Sequence, residues 1–225
     1  RVRRQRQMCI RDSCYDSYDD SQLSHLLDWA DVVCIGCGLG MGQISEKILK
    51  NVLKNVSCPC VIDADGLNLL NRNIELLNQC CAPVILTPHM KEMSRLTGWS
   101  IDTIMEDRFQ ALDQIIKQSG PDTKSSIICV LKDSRTVVAQ TNRQRFVNLA
   151  GNNSMAKGGS GDVLAGTIAG LLAQHMAPFE ATTVGVFLHA CGGDEAKKSK
   201  GSYSVLARDL IQGMADAMKN AKECR

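Results

Sequence analysis

Short, unbroken apolar runs separated by stretches of helical spacing constrain this chain more than any other feature. "DVVCIGCGLGMG" opens with one such run and ends in a glycine loop, and "CPCVIDAD", "APVILTP" and "SSIICVLK" supply three more. After the first comes "ISEKILKNVLKN", whose Ile44, Ile48, Leu49, Val52 and Leu53 recur at helical intervals. A strand that is apolar at every position offers no face to water, so it needs a covering layer on both sides. Alternation with helices then gives a parallel sheet between two helical layers. Strands are expected at 32–35, 58–62, 84–86 and 127–131, all parallel, in one α/β domain without internal repeats.

Local signals refine this outline. "GLNLLNRNIELL" resumes helical character after the second strand. Thr87 and Pro88 read as N-cap and first residue of the helix after the third strand. "DTIMEDRFQALDQIIKQSG" reads as one amphipathic helix closed by Gly120. "RTVVAQT" and "RQRFVNLA" read as a hairpin around Thr141 and Asn142. Three helices follow, the first beginning near Gly161.

Composition excludes several function classes. With 225 residues the chain can bury one full-sized core. A net charge of +2 gives no reason to invoke nucleic acid or a membrane surface. No apolar run approaches the roughly 20 residues of a membrane-spanning helix, and no signal peptide is visible, so a cytoplasmic location is expected. The 11 cysteines are odd in number, and Cys34 and Cys129 lie within apolar runs, which suggests reduced, buried thiols. Cys34 and Cys37 form a C-x-x-C, with Cys58 and Cys60 nearby. A second pair at matching spacing is lacking, so the spacing argues against zinc. Residues 1–13, "RVRRQRQMCIRDS", resemble translated sequencing-adapter sequence and are expected to be a tail outside a domain at 14–225.

Ligands of open α/β sheets collect at the carboxyl ends of strands, which singles out the loops after Ile35, Ile62, Leu86 and Leu149. In "GNNSMAKGGSGDVLAG" the N–H groups of Gly159, Ser160 and Gly161 are expected to point out of a helix start and to hold anionic oxygens. Asp162 would repel an anion there. It suits instead a base that takes a proton from a hydroxyl while the N–H groups stabilise a transferring phosphoryl group. The plain alternative is a first-turn acid that satisfies the helix dipole.

The other loops leave more open. "GCGLGMG" matches part of a dinucleotide pattern, with Asp63 as the nominal ribose acid, but that reading leaves the second glycine burst unexplained. It is better taken as a close approach of backbone to a bulky ligand. Asp65 and Asn68 either cap and satisfy backbone locally, or Asp63 and Asp65 order Mg²⁺ through water. His89, with Glu92 one turn on to orient it, is a substrate contact or a surface residue. Lys132 meets phosphate or simply ends its strand.

Taken together, "GCGLG", "DADGLNLL", "LTPHMKEMSRL", "LKDSRTVV" and "GNNSMAKGGSGDVLAG" resemble, in order and spacing, the ADP/ATP-dependent NAD(P)H-hydrate dehydratases. The resemblance runs from about Leu26 to the C-terminus and implies a ribokinase-like fold. It also implies a repair reaction in which hydrated NADH or NADPH (NADHX, NADPHX) is phosphorylated on the ring hydroxyl by ADP or ATP with Mg²⁺, then loses phosphate. By the same resemblance Asp162 is catalytic and touches substrate, together with His89, Gly40 and Gly38. Lys132, Asp133, Ser134, Arg135 and Thr136, with Gly159, Ser160 and Gly161, would bind the nucleotide.

Relatives further imply a homo-oligomer and, in some, fusion to an epimerase domain. Asp133 and Lys157 depart from the family's usual glycine and threonine or serine. The family's first strands and a tyrosine-glycine-alanine segment are not found, so a truncated chain is expected, and the missing part puts the activity of the fragment in question. A small-molecule kinase of the same fold, acting on a hydroxymethylpyrimidine, a thiazole alcohol or pyridoxal, is the nearest alternative. A nucleotide-binding module without catalysis is the other.

Overall fold

The computed structural model describes residues 17–118, 126–141 and 144–223. Helix α1 (Asp20–Trp29) leads into β1 (Val33–Ile35), α2 (Gln43–Asn55), β2 (Cys60–Ile62), α3 (Asp65–Leu70) and a 3-10 turn at Ile74–Gln79. Then come β3 (Val84–Leu86), α4 (Met90–Thr97), α5 (Ile101–Glu106), α6 (Arg108–Gln118), β4 (Ile127–Leu131), β5 (Val137–Gln140) and β6 (Arg145–Val147). The chain closes with α7 (Ser160–Leu172), α8 (Pro178–Lys200) and α9 (Ala207–Glu223).

The four expected strands lie side by side and parallel, with Val33 opposite Cys60, Cys60 opposite Val84 and Val84 opposite Ile127. β5 and β6 extend the sheet antiparallel as a hairpin that leaves β5 at Thr141. Alternation along the strands builds two cores. Cys60, Ile62, Val84, Leu86, Ile127, Cys129 and Leu131 face the layer that includes α2 to α6. Val61, Ile85, Ile128 and Val130 face α7 and α8. Continuous apolar strands are thus used on both sides, and all the parallel strands point their carboxyl ends at one edge.

Four local expectations are corrected. The long helix is broken at Asp107, whose φ of −143° leaves the helical region and whose carboxylate accepts from Gln110 N–H at 2.9 Å. An aspartate that bonds nearby backbone competes with the helix it interrupts. Helix α4 begins at Met90 rather than Pro88, because the Pro88 carbonyl accepts from Lys132 N–H at 2.8 Å and holds the chain extended through His89. Asp65 is not an N-cap: Ala64, at φ 48°, takes that place and Asp65 is the first helical residue. Cys34 is exposed, unlike the buried Cys129, since β1 is an edge strand of the sheet among the described residues. Met8 and Ile10 of the expected tail, Gly120 and Asn142 lie outside the described residues.

Candidate active site

Asp63 ends β2 at the carboxyl edge and is only 2% exposed, yet its Oδ1 is paired with Lys132 Nζ at 2.6 Å. The bridge between Lys132 and His89 carries β4 one residue past its regular end and delivers the ammonium to that carboxylate. The other oxygen faces α7. A Cβ placed on Gly161 would lie 3.4 Å from Asp63 Oδ2 and 3.3 Å from Lys132 Nζ. Lys132 is therefore neither free nor an ordinary exposed strand end. It closes a buried ion pair beside a helix start.

That helix start is open. Gly159 caps α7 at φ +86°, a left-handed conformation that favours glycine, and no side chain caps the helix. The N–H groups of Gly159, Gly161 and Asp162 have no acceptor among the described residues. Ser160 departs from expectation. Its N–H is turned onto the Lys157 carbonyl at 3.3 Å, and its buried hydroxyl meets His189 Nε2 at 3.3 Å. Burial pushes the His189 imidazole down to about 4, so it is neutral at physiological pH. The preceding loop is pinned by Asp194 of α8, which accepts from Gly151 N–H at 3.0 Å and Asn152 Nδ2 at 2.7 Å.

Asp162 is exposed in the first turn of α7. One oxygen from its carboxylate, one from that of Asp63, and Cys37 Sγ all lie within 4.8 Å of one another. The first glycine loop is pressed against β2, since a Cβ on Gly36 (φ +121°) would fall 1.9 Å from the Asp63 carbonyl oxygen. Gly40 N–H donates to Asp65 Oδ2 at 2.9 Å, which fixes the loop to α3, while Gly38 opens to free space. Asn68 meets both local expectation and a longer reach: it donates to the Ala64 carbonyl at 3.3 Å and accepts from Arg95 at 2.6 Å.

His89 sits at the same edge, but much of its ring is committed. Nδ1 accepts from the N–H groups of Lys91 and Glu92, each at 3.1 Å, and Glu92 Oε2 accepts from His89 N–H at 2.8 Å. Glu92 thus orients His89 through a capping box, and its Oε1 lies 3.3 Å from Nε2. Burial first, and the Lys132 charge second, hold the His89 imidazole below its ordinary value. Burial raises the Glu92 carboxyl.

Beyond Lys132 the chain turns away from the ion pair. Asp133 pairs with Arg108 at 2.9 Å, Ser134 and Arg135 are exposed, and the Thr136 carbonyl accepts from Asn148 N–H at 2.9 Å. Sequence reasoning missed two residues here, His189 under Ser160 and Asp194 behind the glycine loop, and set Cys37 aside as half of an unmatched C-x-x-C. Neither His189 nor Asp194 carried a local signal, whereas Cys37 carried two, the C-x-x-C and its place inside the first glycine loop.

Comparison with known proteins decides the family: the NAD(P)H-hydrate dehydratase model matches residues 4–215. The chain belongs to that family. It is 37% identical over 193 residues to the bifunctional NAD(P)H-hydrate repair enzyme of Moorella thermoacetica, covering 86% of this chain and 35% of that protein. The chain thus spans about a third of the length of such relatives. An ADP/ATP-dependent NAD(P)H-hydrate dehydratase from Bacillus subtilis, crystallised with ATP/Mg²⁺ and soaked with CoA, superposes with a TM-score of 0.71 at 28% identity, covering 84% of this chain and 66% of that one. A ribokinase-like superfamily protein from Enterococcus faecalis superposes at 0.68 and 34% identity, covering 89% and 66%. The fold of this dehydratase-family chain is ribokinase-like, as expected.

Within this dehydratase-family site the donor set fits a magnesium ion only in part. Mg²⁺ prefers an octahedron of oxygens and keeps several waters, binding one or two carboxylates together with substrate phosphates. Asp63 and Asp162 can supply those carboxylates, but Cys37 is a soft donor and Lys132 already occupies one oxygen of Asp63. The arrangement suits an ion that arrives with phosphate rather than a resident cage.

Proposed function

We propose that this chain carries out ADP- or ATP-dependent dehydration of hydrated NADH and NADPH, a metabolite-repair reaction in the cytoplasm. The observation that supports it most is the convergence of Lys132, Asp63 and Gly161 beside Asp162 at an uncapped helix start. N–H groups at Gly159, Gly161 and Asp162 donate to the phosphate oxygens, where a helix start favours negative charge. Lys132 balances the charge that builds on the transferring group. Asp162 takes the proton of the ring hydroxyl as its oxygen attacks phosphorus and the nucleotide leaves. The phosphorylated oxygen then departs as phosphate, and loss of a ring proton restores the reduced nicotinamide.

Gly38 and Gly40 line the dinucleotide side, and His89 contacts substrate through its Nε2 edge, since Nδ1 is occupied by the α4 cap. The segment from Lys132 through Asp133, Ser134 and Arg135 to Thr136 flanks the nucleotide. Mg²⁺ bound with the nucleotide, near Asp63 and Asp162, would supply further neutralisation of phosphate charge.

A product assay tests this reading. Incubation with hydrated NADH, ATP and Mg²⁺ should restore NADH absorbance and release phosphate. A phosphorylated alcohol formed from a hydroxymethylpyrimidine, thiazole or pyridoxal instead would favour a kinase of the same fold. Nucleotide binding with no product of either kind would favour a non-catalytic module.

A further inference from the structure

The proposed chemistry has no use for Cys37, yet its sulfur stands within 4.8 Å of carboxylate oxygens of both Asp63 and Asp162. Cys34 and Cys37 are free thiols, both exposed. Cys34 lies in β1, three residues before Cys37. We propose that Cys37, Asp63 and Asp162, completed by Cys34, form a binding site for a soft divalent cation of the zinc type.

Donor atoms already this close need only small rotations to reach the bond lengths of about 2.0–2.3 Å found around tetrahedral zinc. Two thiols and two carboxylates select zinc, cobalt or cadmium over magnesium. Among the described residues the carboxylates of Asp63 and Asp162 outnumber the Lys132 ammonium paired with Asp63, which favours a divalent cation. Lys132 holds Asp63 Oδ1 and leaves Oδ2 for the metal. Each thiol that ligates gives its proton to solvent, so affinity falls with acidification. The C-x-x-C spacing conceals such a site because its other ligands come from β2 and α7.

The metal would hold the Asp162 carboxylate and stop proton abstraction. That consequence rests on Asp162 being the base, whereas the site itself does not. Co²⁺ is the probe, because thiolate ligation gives an ultraviolet charge-transfer band and a tetrahedral site gives intense visible bands. The protein should show both at one equivalent, and Zn²⁺ should erase them. Cys37→Ser and Cys37→Ala should weaken Co²⁺ binding by more than the roughly 10–100-fold that losing an outer partner costs. Cys34→Ser should weaken it less. An unchanged charge-transfer band in a folded Cys37 variant, or octahedral spectra in the parent protein, would overturn the site.

Discussion

Helices α4 and α7 both begin at the carboxyl edge of the sheet, and they treat their first N–H groups in opposite ways. At α4 the His89 ring accepts two of them and Glu92 returns a bond to the His89 N–H, so the start is closed by the helix's own side chains. At α7 glycine replaces any capping side chain and the donors face outward. An open start is not by itself a site, since α2 and α8 also lack side-chain caps. What distinguishes α7 is its company: the Lys132 ammonium and an acid, Asp162, that a plain anion site would exclude. One helix start spends its dipole on fold stability, and the other holds it for a ligand.

The strongest way to break this contrast is Asp162→Asn. The change keeps size and hydrogen bonding but removes the basic carboxylate, and general-base catalysis is worth about 10²–10⁴-fold. We expect that loss in kcat, measured by NADH recovery, with nucleotide affinity largely kept. A near-normal kcat would reduce Asp162 to a first-turn acid, and α7 would then resemble α4.

Lys132→Met probes the pair that lies between the two helices. It leaves the Asp63 carboxylate buried and unpartnered, and breaking such a pair costs about 3–5 kcal/mol. The lower end is expected because Lys132 is 19% exposed at its side chain. Urea unfolding measures it, and a loss below about 1 kcal/mol would mean that the pair behaves as a surface bridge.

Below α7, His189 makes stability pH-dependent. The unfolded chain takes up its proton near pH 6.5, whereas in the folded protein uptake is delayed to about 4. The His189 contribution is therefore full above pH 6.5 and is lost as pH falls toward 4, by about 3 kcal/mol. Glu92, held above its ordinary value, runs in the opposite direction, so the test is a difference. His189→Gln should flatten the stability slope between pH 6.5 and 4 relative to the parent. An unchanged slope would show that the imidazole is hydrated in the native state.

The smallest effect is expected at α4. His89→Ala removes an N-cap and should cost about 0.5–2 kcal/mol in unfolding experiments. Its effect on ATP affinity should be negligible.

Much of this contrast was legible before any coordinates, and the part that was not has a physical explanation. Continuous apolar runs revealed the four parallel strands because period and composition are local properties, and the same holds for the hairpin after β4. The glycine-rich start of α7 was readable for the same reason. Pro88 misled because its helical preference yielded to a sheet bond from Lys132, a residue distant in sequence. The Asp63–Lys132 pair and the approach of Cys37 to Asp162 were invisible because they depend on which strand ends the fold brings together. Asp107 could have been seen as a helix breaker, but the apolar periodicity on either side outweighed it.

Calorimetric titration of ATP with Mg²⁺ into Gly161→Val and His89→Ala, compared with the parent protein, tests the contrast most directly. A Cβ at Gly161 would lie 3.3 Å from Lys132 Nζ and 3.4 Å from Asp63 Oδ2, so the methyl groups of a valine are expected to crowd the space in front of the open donors. Losing one charge-assisted hydrogen bond costs about 1.5–3 kcal/mol, so affinity should fall roughly 10–100-fold in Gly161→Val. His89→Ala should bind as the parent does. Undiminished binding in a folded Gly161→Val, or loss of binding in His89→Ala instead, would contradict the assignment of the nucleotide to the open start of α7.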